Sequence, residues 1–334
     1  VKENKQEMND INWGIIGCGN VTEKKSGQAY NKVPNSKLVA VMRRNEVKAA
    51  DYARRHNVDK WYADADQLLN DAEVNAVSIA TPPAFHLEYA IAALKKGLNV
   101  YVEKPVTRNS REAQEMAEAV KQYNGKLTVA HYRRALPMFL YVKELLDKNT
   151  IGEIRTVQIR MWKELEPDLV AKVEENWRVL PELSGGGYFH DLAPHQLDLM
   201  LFYFGEPRSY HGFSLNQSGT NPADDHVCGE ILFNNNVVVS GSWCFNVAES
   251  ETVDSCEIVG SEGKITFPFF GSKGSFVSWK NKQDAQIVNF TQPEHIQQPM
   301  IEKIVKYFSG EGPNPCPIED AVTLMKIIDA FTTT

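Results

Sequence analysis

Three side chains able to transfer protons stand in two short stretches of the sequence, and the first of these holds Lys104. It lies between Glu103 and Pro105, directly after the apolar run 98–102. Because proline has no backbone N–H and a fixed φ, strand pairing must stop at the lysine, which places it at the carboxyl end of a strand. A lysine there can polarise or protonate an oxygen of a bound molecule. A solvated lysine at a strand end is the simpler alternative.

The second stretch holds Asp191 and His195, four residues apart in a segment that begins as a helix near Tyr188. This spacing puts both side chains on one helix face. A carboxylate one turn from an imidazole can orient the ring or raise its pKa, and histidine titrates near neutral pH. The run Gly185–Gly187 before them allows a ligand to approach closely. An exposed helix pair or a weak metal half-site is the alternative, but no third ligand is evident and we expect no metal.

The first part of the chain alternates apolar runs with amphipathic stretches. We expect strands at 11–16, 37–42, 76–80, 98–102 and 127–130, and helices at 46–56, 85–96 and 110–122. This alternation predicts a parallel, right-handed, doubly wound sheet. Open sheets of this kind bind ligands at the carboxyl ends of their strands, where Lys104 lies.

Beyond residue 150 strands dominate. We expect them at 154–162, 208–215, 227–233, 237–245, 255–259, 264–267 and 276–280, with helices at 139–147, 188–203, 296–308 and 318–331. Asn234–Asn236 and Ser261–Gly263 have the composition of hairpin turns. The pattern predicts a mostly antiparallel second sheet.

A glycine turn follows the first strand. Gly17 and Gly19 let the backbone approach a pyrophosphate, and the next helical turn, from Asn20 and Val21, offers its N-terminus to that group. These four residues are candidate cofactor contacts. The third small residue of the usual pattern is missing, because Thr22 stands there. A mere tight turn is the alternative.

The end of the second strand indicates which dinucleotide binds. NAD sites carry an acid there, about 20 residues after the glycines, that binds the ribose 2′-hydroxyl. Here Arg43 and Arg44 precede the first acid, Glu46. A guanidinium grips a 2′-phosphate well, so we expect NADP, with NAD possible. A solvated arginine pair at a helix start is the alternative.

Four motifs in this order resemble one known family. They are the glycine turn, Ala80-Thr81-Pro82-Pro83 with His86, Glu103-Lys104-Pro105, and the run from Gly185 to Asp198 that reads G-G-G-Y-F-H-D-L-A-P-H-Q-L-D. Together they resemble the glucose–fructose oxidoreductase / inositol dehydrogenase / rhizopine-catabolism family of NAD(P)-dependent oxidoreductases, over nearly the whole chain. The resemblance implies a Rossmann domain followed by an α/β domain whose open sheet often forms a dimer or tetramer interface. It also implies activity on sugars, polyols and their derivatives.

The resemblance further assigns site residues. It implies that Lys104 contacts substrate and nicotinamide ribose and that Asp191 and His195 are the family's D-x-x-x-H pair. It also implies a cofactor groove, which we take to be lined by Thr81, Pro82, His86 and Glu103.

Two further segments are candidate substrate contacts. Tyr132 and Arg133 follow the strand 127–130 at the ligand-bearing edge and could hold hydroxyls or a carboxylate. Arginines pairing with acids across the domain junction are the alternative. Trp177 could stack on a sugar ring, and Arg178 could contact a hydroxyl.

Composition limits the partners and the location. With 36 Lys+Arg against 43 Asp+Glu, the net charge of −7 disfavours nucleic acid and anionic membrane as partners. No apolar run approaches the roughly 20 residues of a membrane span. The five scattered cysteines suggest free thiols in a reducing compartment, hence a cytoplasmic protein. Because the chain begins at Val1, a removed leader and a periplasmic or exported location stay open.

We therefore expect an α/β protein with a Rossmann doubly wound parallel sheet in residues 1–130. Residues 131–334 would form an α/β domain with a large, mostly antiparallel open sheet, its last helix free to pack back on the first domain. The expected function is hydride transfer, NADP preferred, to or from a sugar-like or cyclic polyol. In it His195 accepts a proton during oxidation, Lys104 polarises or protonates the reacting oxygen, and Asp191 orients His195 or binds hydroxyls.

Two other functions stay open. Some members of the family are glycosidases that use NAD for transient oxidation, and net cofactor reduction would argue against that activity. A non-catalytic NADP-responsive binding protein is the third possibility. An exposed antiparallel sheet is a liability in a monomer, so we expect a homodimer or homotetramer formed through it.

Overall fold

Two sheets organise the chain, one in each half. The structure, a computed structural model, describes residues 10–167, 176–271 and 274–332. The strands of the first sheet are β1 Ile11–Ile16, β2 Ser36–Met42, β3 Lys60–Tyr62, β4 Ala76–Ile79, β5 Asn99–Val102 and β6 Leu127–Val129. They are all parallel, in the order β3-β2-β1-β4-β5-β6. This order has its reversal point between β1 and β4, as in dinucleotide-binding folds, and confirms the expected doubly wound sheet.

Four helices flank this sheet, and local capping explains where the first of them begins and ends. They are α1 Glu46–His56, α2 Ala65–Leu69, α3 His86–Lys95 and α4 Ser110–Gln122. The Asn45 side chain accepts the Lys48 N–H at the start of α1, and Asn57 ends that helix in the left-handed conformation. After the glycine turn the chain forms only a short helical turn, with π geometry over Thr22–Ser26, followed by a 3₁₀ turn at Ala29–Lys32.

The second sheet has eight strands. They are β7 Ile154–Trp162, β8 Pro207–Leu215, β9 His226–Phe233, β10 Val238–Cys244, β11 Val253–Gly260, β12 Lys264–Phe267, β13 Phe276–Lys280 and β14 Ala285–Asn289. Their order is β14-β13-β12-β11-β7-β10-β9-β8, and every neighbouring pair is antiparallel except β7 with β10. The mostly antiparallel sheet is therefore confirmed. The sequence analysis did not anticipate β14.

Helices cover one face of the second sheet, and the last two of them also pack against the first half of the chain. They are α5 Pro137–Asp147, the short α6 Pro181–Ser184, α7 Tyr188–Phe204, α8 Gln298–Ser309 and α9 Ile318–Thr332. Nearly all of α7 is buried. Helix α9 packs against α4 as well as α7 and β8, and in α8 the ring of Phe308 lies 5.7 Å from that of Trp13 in β1. The final helices thus bind both sheets together. No helix within the described ranges is long and apolar enough to cross a membrane.

Candidate active site

Lys104 and Asp191 meet where the two halves of the chain join. Lys104 follows the end of β5, and its Nζ donates to Asp191 Oδ1 at 2.6 Å and to the Asp191 backbone oxygen at 2.8 Å. The two side chains are 12% and 14% exposed. An ammonium has three donors, so one N–H of Lys104 is left for another oxygen.

Asp191 is shared by two cations. Arg178 Nε donates to Asp191 Oδ2 at 3.0 Å, and the Arg178 guanidinium stacks on the Trp177 ring at 4.4 Å. Burial alone would raise the pKa of Asp191, but the charges of Lys104 and Arg178 outweigh it and hold that pKa well below its usual range. Asp191 is therefore ionised at neutral pH and binds the lysine.

His195 lies in an aromatic setting beside this cluster. It is 3% exposed, and its ring is 5.2 Å from that of Tyr132 and 5.8 Å from that of Phe270. Its Nδ1 is buried with no hydrogen-bond partner among the described residues. Burial, then the charges of Arg133 and Lys104, lower its pKa well below the usual value. The imidazole is neutral at neutral pH.

Asp191 and His195 make no hydrogen bond to each other in the structure, and the alternative role of Asp191 in binding hydroxyls stays a prediction. Its carboxylate turns to Lys104 and Arg178, because an opposite charge at 2.6 Å binds it more strongly than a neutral imidazole can. Asp191 and His195 lie one turn apart in α7, as expected from their spacing.

Tyr132 and Arg133 border the same space. Arg133 Nη1 donates to Tyr132 Oη at 3.1 Å, Nε donates to the carbonyl of Phe269 at 3.2 Å, and the guanidinium lies 4.4 Å from the ring centre of Phe270. The next residue behaves differently, since Arg134 is paired with Asp198 and Asp320. The alternative that an arginine pairs with acids across the domain junction therefore holds for Arg134 but not for Arg133.

Glu103 faces away from the lysine. Its Oε1 accepts a hydrogen bond from Gln297 Nε2 at 2.7 Å, and Gln297 Oε1 accepts one from the Tyr101 hydroxyl at 2.9 Å. Burial raises the pKa of Glu103. Sequence reasoning missed Gln297, because it lies 194 residues along the chain and no local pattern links the two.

His86 supports the loop after Lys104. Its Nε2 lies 2.8 Å from the carbonyl oxygen of Thr81, and Nδ1 lies 3.1 Å from those of Pro105 and Val106. The ring is almost wholly buried. Like Glu103, it was expected to line the cofactor groove, and the structure gives it partners inside the protein that fix the position of the loop.

The glycine turn forms a groove at the end of β1. Gly17 has φ +93°, and a Cβ there would lie 2.8 Å from Thr81 Cγ2, so glycine is required. Thr22 accepts the Gly19 N–H at 3.0 Å and donates back to its carbonyl at 2.9 Å, which explains how this turn closes without the third glycine. Thr81 Oγ1 is buried with no partner. An orphaned hydroxyl beside this turn and the helical start at Asn20 and Val21 fits a bound dinucleotide.

The arginines after β2 flank this groove. Arg43 Nη1 donates to the Cys18 carbonyl at 3.3 Å, and the Arg44 guanidinium lies 5.1 Å from the ring centre of Phe85. All residues between β2 and Glu46 are described, and none is acidic. The first acid after β2 is Glu46, as the sequence analysis noted.

A dinucleotide groove that opens beside a buried lysine, aspartate and histidine defines an NAD(P)-binding oxidoreductase. Residues 11–131 match the family described as "Oxidoreductase family, NAD-binding Rossmann fold", and residues 139–266 match the "GFO/IDH/MocA C-terminal domain". The chain belongs to this family, which confirms the resemblance found in the sequence.

Known relatives agree with this assignment. The chain is 49% identical to "Oxidoreductase P35" of Formosa agariphila, over 96% of this chain and 98% of that protein. It is 28% identical to levoglucosan dehydrogenase of Pseudarthrobacter phenanthrenivorans, over 78% of this chain and 74% of that protein. A solved structure of levoglucosan dehydrogenase in complex with NADH shares the fold, with a TM-score of 0.83, 24% identity and coverage of 96% and 95%.

Proposed function

We propose that the protein is an NADP-preferring dehydrogenase or reductase that transfers a hydride to or from a sugar-like or cyclic polyol substrate. The observation that carries the proposal is the 2.6 Å contact between Lys104 Nζ and Asp191 Oδ1, at the sheet edge that also forms the dinucleotide groove. The names of relatives such as levoglucosan dehydrogenase support the substrate class. We also propose that the boundary between the two domains lies at residues 130/131.

Each site residue has a task in this proposal. A bound nicotinamide accepts or supplies the hydride. In oxidation the substrate loses a hydride from carbon and a proton from oxygen, which leaves a carbonyl. The remaining N–H of Lys104 binds the reacting oxygen, and Asp191 holds the lysine in place. His195, being neutral, accepts the hydroxyl proton.

The NADP preference rests on Arg43 and Arg44. The Arg43 guanidinium binds the Cys18 carbonyl in the glycine turn, and the Arg44 guanidinium lies over the Phe85 ring. A 2′-phosphate near them would receive charge-assisted hydrogen bonds. An NAD-selective groove would need an acid at this place.

Self-association through the second sheet is also part of the proposal. The face of this sheet opposite its helices exposes large apolar side chains, with Phe213 54% and Leu215 47% exposed on β8 and Ile287 68% exposed on β14. Apolar groups on a flat sheet and two free sheet edges favour assembly into a homodimer or homotetramer.

Lys104→Met and His195→Gln test the catalytic proposal. Each should lower kcat with NADP⁺ and a sugar or polyol substrate at least ~10²-fold, the usual scale of acid–base groups. Lys143→Met is the matched control, because Lys143 also pairs with an aspartate but lies on the surface of α5. Near-normal turnover in both variants would remove the two residues from the mechanism. Sugar release without net cofactor reduction would point to the glycosidase instead.

A further inference from the structure

Arg133 is a buried cation that has no acidic partner. It is 5% exposed, and its partners are a phenol, a carbonyl and two aromatic rings, with no carboxylate in ion-pair contact among the described residues. The nearby Asp254 accepts instead from the backbone N–H groups of Phe269 and Phe270. Buried charges are costly unless paired, and the neighbouring Arg134 obeys that rule with two aspartates.

Arg178, which shares Asp191 with Lys104, has a donor that is not used. Its Nε binds Asp191, and its Nη1 is buried with no hydrogen-bond partner among the described residues. Lys25 adds a further positive charge. Its backbone oxygen accepts from Gln297 N at 3.4 Å, close to Glu103, and its ammonium makes no ion pair with a described residue. Three of these cations, Arg133, Lys25 and Lys104, act on the phenol of Tyr132.

The pKa of Tyr132 reflects these positive charges. Burial alone would raise the pKa of its phenol, yet the charges of Arg133, Lys25 and Lys104 outweigh it, and the pKa is lowered. A wholly buried tyrosine with a lowered pKa indicates a positive potential in the space that it borders. An anion would be stabilised there.

The cofactor is not that anion. Its pyrophosphate belongs to the glycine turn after β1, whereas Arg133 follows β6, three strands away in the sheet order. At a spacing of about 4.8 Å per strand, the two positions are roughly 14 Å apart. The unpaired guanidinium therefore faces the substrate end of the site.

We infer that the substrate is an acidic sugar, whose carboxylate is bound by Arg133 and by the free Nη1 of Arg178. The planar fork of a guanidinium matches a carboxylate. This inference rests on the proposed function and narrows its substrate class.

Matched sugar pairs test it with the NADP⁺-loaded enzyme. The pairs are D-glucose with D-glucuronate, D-galactose with D-galacturonate and D-mannose with D-mannuronate, together with the corresponding 6-phosphates. At least one uronate should exceed its neutral partner in kcat/KM by roughly 10- to 100-fold, the value of a charge-assisted hydrogen bond. Arg133→Gln should reduce that acid-to-neutral ratio by a similar factor, and Lys143→Gln should leave it unchanged.

Thermal stability gives a test that needs no substrate. Arg133→Gln removes a buried charge that makes no ion pair with a described residue, so Tm should stay unchanged or rise. Arg134→Gln leaves Asp198 and Asp320 without their cation, so Tm should fall. Equal losses in both variants would make Arg133 a structural residue and overturn the inference.

The kinetic outcomes separate the two proposals. Oxidation of neutral sugars with no preference for uronates, or a preference for phosphates over carboxylates, would overturn the acidic-sugar inference alone. Oxidation of none of these sugars or of inositol with either cofactor would count against the proposed function itself.

Discussion

Replacing Asp191 by asparagine tests the electrostatic centre of the site. The substitution keeps the shape of the side chain but removes the charge that Lys104 and Arg178 share. Both cations then stay in place, with side chains 12% and 9% exposed, and only an amide oxygen remains to receive them.

The cost follows from this burial. Removing one partner of a buried ion pair destabilises a protein by about 3–5 kcal/mol, because an uncompensated charge stays behind. At about 2 °C per kcal/mol for a chain of this size, Tm should fall by roughly 6–10 °C. Asp147→Asn is the matched control, since Asp147 pairs with Lys143 on an exposed helix surface and its loss should cost less than about 1 kcal/mol.

The stability difference between the wild type and Asp191→Asn should depend on pH in one direction. The pKa of Asp191 is depressed in the folded state, so its stabilisation is complete above the ordinary pKa of about 3.8 and is lost as the pH falls through the folded value. Calorimetry at several pH values should therefore give a constant gap between wild type and Asp191→Asn from pH 5 to 8. The gap should narrow below about pH 4.

A double-mutant cycle completes the test. If the pair acts as described, Lys104→Met should cost less in the Asp191→Asn background than in the wild type, with a coupling of about 0.5–3 kcal/mol. A Tm of Asp191→Asn equal to that of the wild type at pH 7, or strictly additive losses, would refute the account of a buried, shared carboxylate.

Three further predictions concern the cofactor, the support of the lysine loop and the open sheet. Joint replacement of Arg43 and Arg44 by alanine should weaken NADPH binding roughly 10- to 100-fold in fluorescence titrations and NADH binding much less; equal weakening of both would refute a 2′-phosphate contact. Gln297→Leu leaves Oε1 of the buried Glu103 carboxyl without its donor and should cost about 1–3 kcal/mol in urea unfolding. Unfolding at the wild-type midpoint would show that this hydrogen bond contributes nothing. Phe213→Glu places charge on the open sheet face and should reduce the mass measured by light scattering; an unchanged oligomer would locate the contact elsewhere.

Much of the fold could be predicted because local signals and burial agree. Helix α1 has a capping asparagine at one end and a left-handed asparagine at the other, and its bounds came out as expected. Strand β7 alternates buried and exposed residues over most of its length. Strand β14 has almost no buried residue, and so it carries none of the alternation that identifies a strand. It forms because it pairs with the edge of β13, and the sequence of β14 itself does not show that pairing.

The site divides in the same way. The strand end before Pro105 placed Lys104 at the ligand edge, the family resemblance assigned Asp191 to the site, and the structure brings the two together. The spacing could not show that Arg178 competes with His195 for Asp191, because that outcome depends on distances between charges and not on helix periodicity. The role of Gln297 was equally hidden, since it joins distant parts of the chain.

The return of the last helices to the first sheet has a consequence for how the protein is made. The Ser110 N–H at the start of α4 binds Asp329, and 219 residues separate the two. At 5–20 residues per second, a ribosome needs roughly 10–45 s to add that length. During that time the nascent first domain presents an apolar helix face with no cover, which is the kind of surface that chaperones hold. Ribosome-bound chains stalled before α9 should therefore be cleaved by protease faster in α4 than released chains, and equal protection would show that the first domain completes itself alone.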